Sequence, residues 1–184
     1  FDRRKCEILL AMALPMGLQY SITAIGSVIV QSAVNMLGTV TVAAVTAGQK
    51  ISMFLCSVYD ALGATMATYA GQNVGAGKLR RVKEGVYVAT RIGILYGLFA
   101  FLLCFLFGDK LPQLFISSEQ TEILQQAKLF LLANAAFYGA LTVVNVWRFT
   151  IQGMGYSVFA ILAGVAEMAA RTFMGFVGVR FFGV

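Results

Sequence analysis

Histidine is absent from the 184 residues, which removes His-based catalytic triads and His metal sites. Charge is scarce as well: 12% of residues are Asp, Glu, Lys or Arg, against about 25% in soluble domains. The three cysteines, Cys6, Cys56 and Cys104, lie far apart, two of them in apolar runs. They have neither zinc nor redox spacing, so free buried thiols are expected. No nucleophile–base arrangement and no metal-ligand cluster is visible, so neither an enzyme nor a cofactor or metal site is expected. What is present is oil. The chain is 59% hydrophobic with a mean hydropathy of +0.81, above the roughly 45–50% apolar content of soluble domains. An integral membrane protein is expected.

The net charge of +6 is concentrated rather than spread. Arg3, Arg4 and Lys5 cluster at the start, and Lys78, Arg80, Arg81, Lys83 and Arg91 cluster between two apolar runs. Short basic loops of this kind mark the cytoplasmic side, which argues against nucleic acid as a partner. Asp2-Arg-Arg-Lys5 ahead of an apolar run imitates a signal peptide. The pattern continues to Leu37 with no small-residue cleavage site, so the chain is expected to start within a cytoplasmic loop of a longer protein.

Five segments have the roughly 20 residues that a bilayer core requires: about 12–37, 42–70, 86–107, 123–148 and 157–179. They are far longer than barrel strands, which predicts an all-α, polytopic membrane protein. Pro15 is expected near the start of the first span, with residues 1–11 as an interfacial lead-in. The connections alternate in charge. Residues 71–85 are basic, residues 108–122 carry Asp109, Glu119 and Glu122 against Lys110, and residues 148–157 hold only Arg148. Loop 71–85 is therefore expected in the cytoplasm and the first helix is expected to run outward. No internal repeat is evident.

At about 100° per residue the polar side chains fall into stripes. Helix one aligns Tyr20, Ser27, Gln31 and Asn35, and helix two aligns Thr46, Gln49, Met53, Ser57 and Asp60 with Lys50 at the edge. Helix four aligns Asn134, Tyr138, Asn145 and Gln152, with Arg148 nearby, whereas helix three is almost wholly apolar from Ile92 to Phe107. A lipid-facing helix should look like helix three, and one beside a wet cleft like the other three. Single Asn, Gln or Tyr residues also serve as interhelical glue, worth about 0.6 kcal/mol each. Glu167 and Arg171 stand at i and i+4 in an apolar segment, where each can neutralise the other as a structural clasp. Asp60 lies nearer mid-membrane and is a candidate for binding a proton or cation, with a helix-packing role as the alternative. Lys50 is expected to snorkel outward. Gly93 and Gly97 form a GxxxG step suited to close packing. Gly71-Gln-Asn-Val-Gly-Ala-Gly-Lys78 imitates a phosphate loop, but the spacing fails and Leu79 stands where Ser or Thr is needed.

That same run, with Pro15-Met-Gly-Leu-Gln, Gln31, Asn35, Gly38, Val42-Ala-Ala, Gln152-Gly-Met-Gly and Glu167 to Arg171, resembles the second half of multidrug and toxic compound extrusion (MATE) transporters. The resemblance spans nearly the whole chain. It implies helices seven to eleven of twelve, most of one six-helix lobe of a two-lobe transporter, with the N-terminal lobe missing from these residues. It also implies export of small organic cations or drugs in exchange for protons or sodium, in a multi-pass plasma-membrane protein. Some members carry a carboxylate where Thr23 stands and an acid in the tenth helix, where the stretch around Leu141 is uncharged; others have proline near Tyr59. Coupling then rests on an acid in the missing half or on Asp60.

On that basis Tyr20, Gln31, Asn35, Met53, Asn134, Tyr138 and Asn145 are candidate substrate contacts. Tyr20, Tyr59 and Tyr138 offer aromatic faces to a cation, and Met53 and Met66 offer adaptable apolar contact. Two rivals stand beside this expectation. A lipid-linked oligosaccharide flippase of the same superfamily would need a more cationic cavity, for which Lys50 and Arg148 are the candidates. A non-transporting membrane scaffold would need no cavity at all.

Overall fold

The structure is a computed structural model that describes residues 2–181, and it is built from helices. They are α1 (Arg3–Asn35), α2 (Thr39–Gly75), α3 (Leu79–Phe107), α4 (Thr121–Ala136), α5 (Tyr138–Gly153) and α6 (Val158–Phe181), with a short 3-10 turn at Pro112–Leu114. No strand occurs among the described residues. α1, α2 and α3 are each long and apolar enough to cross a membrane, and α4 with α5 form a fourth such stretch across a 49° bend. The chain is an all-α polytopic membrane protein.

The helices extend further than hydropathy suggests, because a helix continues after its apolar stretch ends. α1 begins at Arg3, where the Asp2 carboxylate caps it by accepting from the Arg4 and Lys5 amides. Residues 3–11 are therefore helical, and Pro15 sits well inside α1, where it removes the bond to the Ala11 carbonyl. The loop expected over 71–85 is a turn at 76–78, since α2 runs to Gly75 and α3 starts at Leu79. Gly77 has φ 70°, Lys78 N donates to Asn73 O at 2.8 Å and Gly77 N to Val74 O at 2.9 Å. That paired pattern is a Schellman cap, which needs the left-handed glycine. The phosphate-loop look-alike is thus a helix C-terminus.

The segment expected as one helix over 123–148 is two helices broken at Phe137. Asn134 Nδ2 donates to Phe130 O at 2.8 Å, and the Phe137 amide turns back to Asn134 O at 3.0 Å. A side chain that competes for a helical carbonyl bends the helix, and no proline is involved.

Neighbouring residues give the helix directions. Gly164 abuts Gln19, Gly26 abuts Met168 and Gly175 abuts Ala33, so α1 and α6 run in the same direction. Gly48 meets Phe130 and Gly63 meets Phe149, so α2 runs with α4 and α5, while Gly85 beside Tyr69 and Gly93 beside Thr142 set α3 against them. The N-terminus, the 76–78 turn and the 154–157 turn therefore share one end, and the 36–38 and 108–120 connections share the other. The basic clusters gather at the first end and Asp109, Glu119 and Glu122 at the second. α2, α3, α4 and α5 enclose the main core, which includes Leu55, Tyr59, Ala100, Cys104, Leu131 and Tyr138. α1 packs chiefly on α6 and only lightly on that bundle.

Candidate functional site

The α1–α6 pair meets the bundle at a charged centre. Glu167 on α6 accepts from Arg171 one turn later (Nη2–Oε1 2.8 Å, Nε–Oε1 3.2 Å). Its other oxygen faces Arg148 of α5 at 3.4 Å. Arg148 also donates to Asn145 Oδ1 at 2.9 Å, and Arg171 donates to Ser27 Oγ of α1 at 3.3 Å. One carboxylate thus serves two guanidinium groups, and the centre keeps an excess positive charge. The i,i+4 spacing placed Glu167 beside Arg171. It did not reveal Arg148, because a single sequence carries no sign of which helix faces which.

Near the basic end, Gln152 Nε2 of α5 donates to Gln19 Oε1 of α1 at 2.8 Å, both side chains being buried. Gln19 was not among the expected site residues, although it ends the Pro15-Met-Gly-Leu-Gln run. Gln152 and Arg148 therefore turn toward α1 and α6, and Asn145 braces Arg148. Asn145 is 4% exposed and lies within the bundle. Tyr138 is buried as well. At 3% exposure it packs with Tyr59, whose ring centroid is 5.6 Å away. Tyr59 in turn meets Tyr96 edge-on at 5.2 Å, and Tyr96 Oη donates to Leu55 O at 2.9 Å. The physical reason is close helix approach: Gly93 and Gly97 of α3 present no side chain where Thr142, Tyr59 and the Tyr138–Gly139 backbone press in. Asn134 is partly buried and bonded to its own helix.

The remaining candidates stay open. Tyr20 and Met53 are exposed, Gln31 donates to Asn35 Oδ1 at 3.0 Å along α1, and Asn35 borders a recess with Gly38 and Thr39 at the α1–α2 turn. Asp60 is exposed and takes no ion-pair partner among the described residues. It lies on α2 about 22 Å from the helix end at Gly75, close to mid-helix. The free face of α2 carries Thr46, Lys50, Ser57, Asp60, Thr68 and Gln72, interleaved with the exposed Met53, Phe54 and Val58. The free face of α3 carries Leu95, Leu98, Phe99, Leu102 and Phe105. Lys50 Nζ sits 5.3 Å from the Phe115 ring centroid, at the end away from the basic clusters. The three polar stripes thus do not converge: that of α5 is spent on packing, that of α1 is partly free, and that of α2 is open.

A family model described as MatE matches residues 15–177. The chain is 22% identical over 120 residues to a probable multidrug resistance protein YoeA of Bacillus subtilis, covering 65% of this chain and 26% of that protein. It is 23% identical over 136 residues to a FAD transporter of Shewanella oneidensis, covering 74% of this chain and 30% of that protein. Among solved structures, a MOP superfamily transporter from Pyrococcus furiosus superposes with a TM-score of 0.78 at 16% identity, over 95% of this chain and 43% of that one. The fold is therefore shared, and the chain spans less than half the length of each of these proteins.

Proposed function

The chain belongs to the MatE family, and on that premise we propose that it forms part of a cation-coupled antiporter that exports small organic cations or drugs by alternating access. The contrast between α2 and α3 carries this reading. Both helices are long enough to span, yet the open face of α3 beyond Arg91 is hydrocarbon, whereas that of α2 sets Lys50, Ser57, Asp60, Thr68 and Gln72 among Met53, Phe54 and Val58. A mid-membrane carboxylate with no protein partner is costly against lipid and stable beside water. α2 then forms one wall of an aqueous cleft whose other wall belongs to a second lobe, outside these residues. The basic end, with the 76–78 turn, lies in the cytoplasm of a plasma-membrane protein.

Asp60 supplies the exchange chemistry. One carboxylate satisfies either the substrate cation or a proton or sodium ion, but not both. Binding of the coupling ion from outside displaces the substrate, and binding of substrate from the cytoplasm displaces the ion. In the intact protein, Asp60→Asn should cut efflux of a cationic dye at least tenfold and abolish its dependence on the proton or sodium gradient. Wild-type efflux with an unchanged gradient dependence would sink the proposal, and no efflux by the wild type at normal expression would favour a scaffold.

A second reading has its own observation. Arg148 and Arg171 share the single carboxylate of Glu167, an arrangement that suits an anionic solute or a lipid-linked pyrophosphate. One relative is named a FAD transporter. Uptake assays in vesicles separate the readings: a cationic dye competed by protons or sodium supports the exporter, whereas FAD or a lipid-linked pyrophosphate as the moving solute supports the anionic alternative.

A further inference from the structure

At the basic end, α3 and α5 leave a groove of about 300 Å³ between them. Its floor is apolar, with Val82 and Val86 from α3 and Trp147 and Ile151 from α5, and its only charged lining residue is Lys83. Lys83 and Tyr87 line the groove, and Arg91, at i+8 on the same face of α3, stands about 12 Å farther along the helix, just beyond the lining. Arg80, on the same helix, is satisfied by Glu84 at 2.8 Å. Lys83 and Arg91 are exposed and take no ion-pair partner among the described residues. The position along the membrane normal follows from length. About 20 residues span the hydrocarbon, so with Phe107 at the far edge the near edge falls close to Val88. Lys83 then stands among the headgroups and Arg91 just below them, and Tyr87 and Trp147 occupy the interfacial belt where amphipathic rings collect.

We propose that this groove is a binding site for an anionic phospholipid, with the phosphate held between Lys83 and Arg91 and the glycerol backbone and upper acyl chain lying on the Val82–Trp147–Ile151 floor. The proposal rests on the reading that the helices cross a bilayer with this end in the cytoplasmic leaflet, where anionic lipids concentrate. Two cations lacking protein carboxylates ask for an anion, and the apolar floor beside them asks for hydrocarbon. A lipid with a net negative headgroup meets both demands, because basic pockets between spanning helices are matched to such headgroups. Arg91 reaches the phosphate by extending its stem upward. Lys78 and Arg81, both exposed at the same end, add to the local positive field.

The test uses the intact protein in detergent micelles. Bound lipids are counted by native mass spectrometry after titration with palmitoyl-oleoyl phosphatidylglycerol or the matching phosphatidylcholine. Phosphatidylglycerol should bind more tightly, and Lys83→Gln with Arg91→Gln should weaken it about 25-fold, about fivefold per cation. Lys83→Arg with Arg91→Lys should restore it. Trp147→Ala should weaken both lipids alike, and millimolar inorganic phosphate should displace neither. Equal binding of the two lipids, phosphatidylglycerol binding that ignores the double substitution, or displacement by free phosphate would each overturn the site. Lipid counting in micelles does not depend on sidedness. The orientation is checked separately by labelling Lys78→Cys in sealed cells with an impermeant maleimide.

Discussion

Arg148 and Glu167 stand nineteen residues apart on different helices, and their side chains meet at 3.4 Å. That contact ties α5 to α6, two helices that otherwise touch little. It also changes the status of Glu167. With Arg171 alone the acid would be a neutral clasp within one helix, whereas with Arg148 it becomes the shared counter-ion of two cations.

Removing that counter-ion should be costly. Glu167→Gln leaves two guanidinium groups facing each other at a site where their side chains are 20% and 40% exposed. A loss of about 1–3 kcal/mol is expected, below the 3–5 kcal/mol typical of a fully buried pair. Arg148→Gln alone should cost less, and the double variant should recover part of the loss, with a coupling of about 1 kcal/mol. Thermal unfolding in detergent across the four proteins measures it. Strict additivity would show that the contact carries no coupling.

The Gln19–Gln152 pair should behave asymmetrically. Gln19→Leu or Gln152→Leu strands a buried amide and should destabilise by about 1–3 kcal/mol. Replacing both by leucine should be nearly neutral, since no orphan remains. Equal losses from the single and double variants in the same unfolding assay would contradict a direct bond.

Gly153 and Gly139 lie on the same helix in different surroundings. A Cβ on Gly153 would run into the Ala67 backbone, which cannot rotate away, while a Cβ on Gly139 would meet nothing within 4 Å. Gly153→Ala should therefore cost about 1–3 kcal/mol through forced separation of α2 and α5. Gly139→Ala should be neutral or slightly stabilising. Comparing their melting temperatures decides the matter.

Solvent access separates the candidate residues. In a variant of the intact protein free of native cysteines, Asp60→Cys and Met53→Cys should react rapidly with a hydrophilic maleimide. Tyr138→Cys and Asn145→Cys should react at least tenfold more slowly in the conformation described. Fast labelling at Tyr138 would mean that the tyrosine core opens.

Hydropathy made the all-helical membrane class legible, and the ordered runs from Pro15 to Arg171 were specific enough to indicate the family. Periodicity placed Asn145 and Gln152 on one face of their helix, with Arg148 near it. It could not say what covers that face, because covering is a property of tertiary packing and not of spacing. For the same reason spacing could not show that Gln152 and Arg148 reach α1 and α6 while Tyr138, in the same stripe, packs against Tyr59 of α2. The break at Phe137 was hidden because it contains no proline. An asparagine that competes for one carbonyl leaves no compositional mark. The extension of α2 to Gly75 was obscured by its polar, glycine-rich end, which hydropathy reads as a loop.

Trp147 is the single tryptophan of the 184 residues. It lines the α3–α5 groove and is half exposed. Indole emission shifts with local polarity, so Trp147 reports on its surroundings at that depth. A quencher attached to a lipid headgroup and one attached deep in an acyl tail would dim that signal to different extents. With any tryptophans outside these residues replaced by phenylalanine, the ratio would give the height of this end of the helices above the bilayer centre.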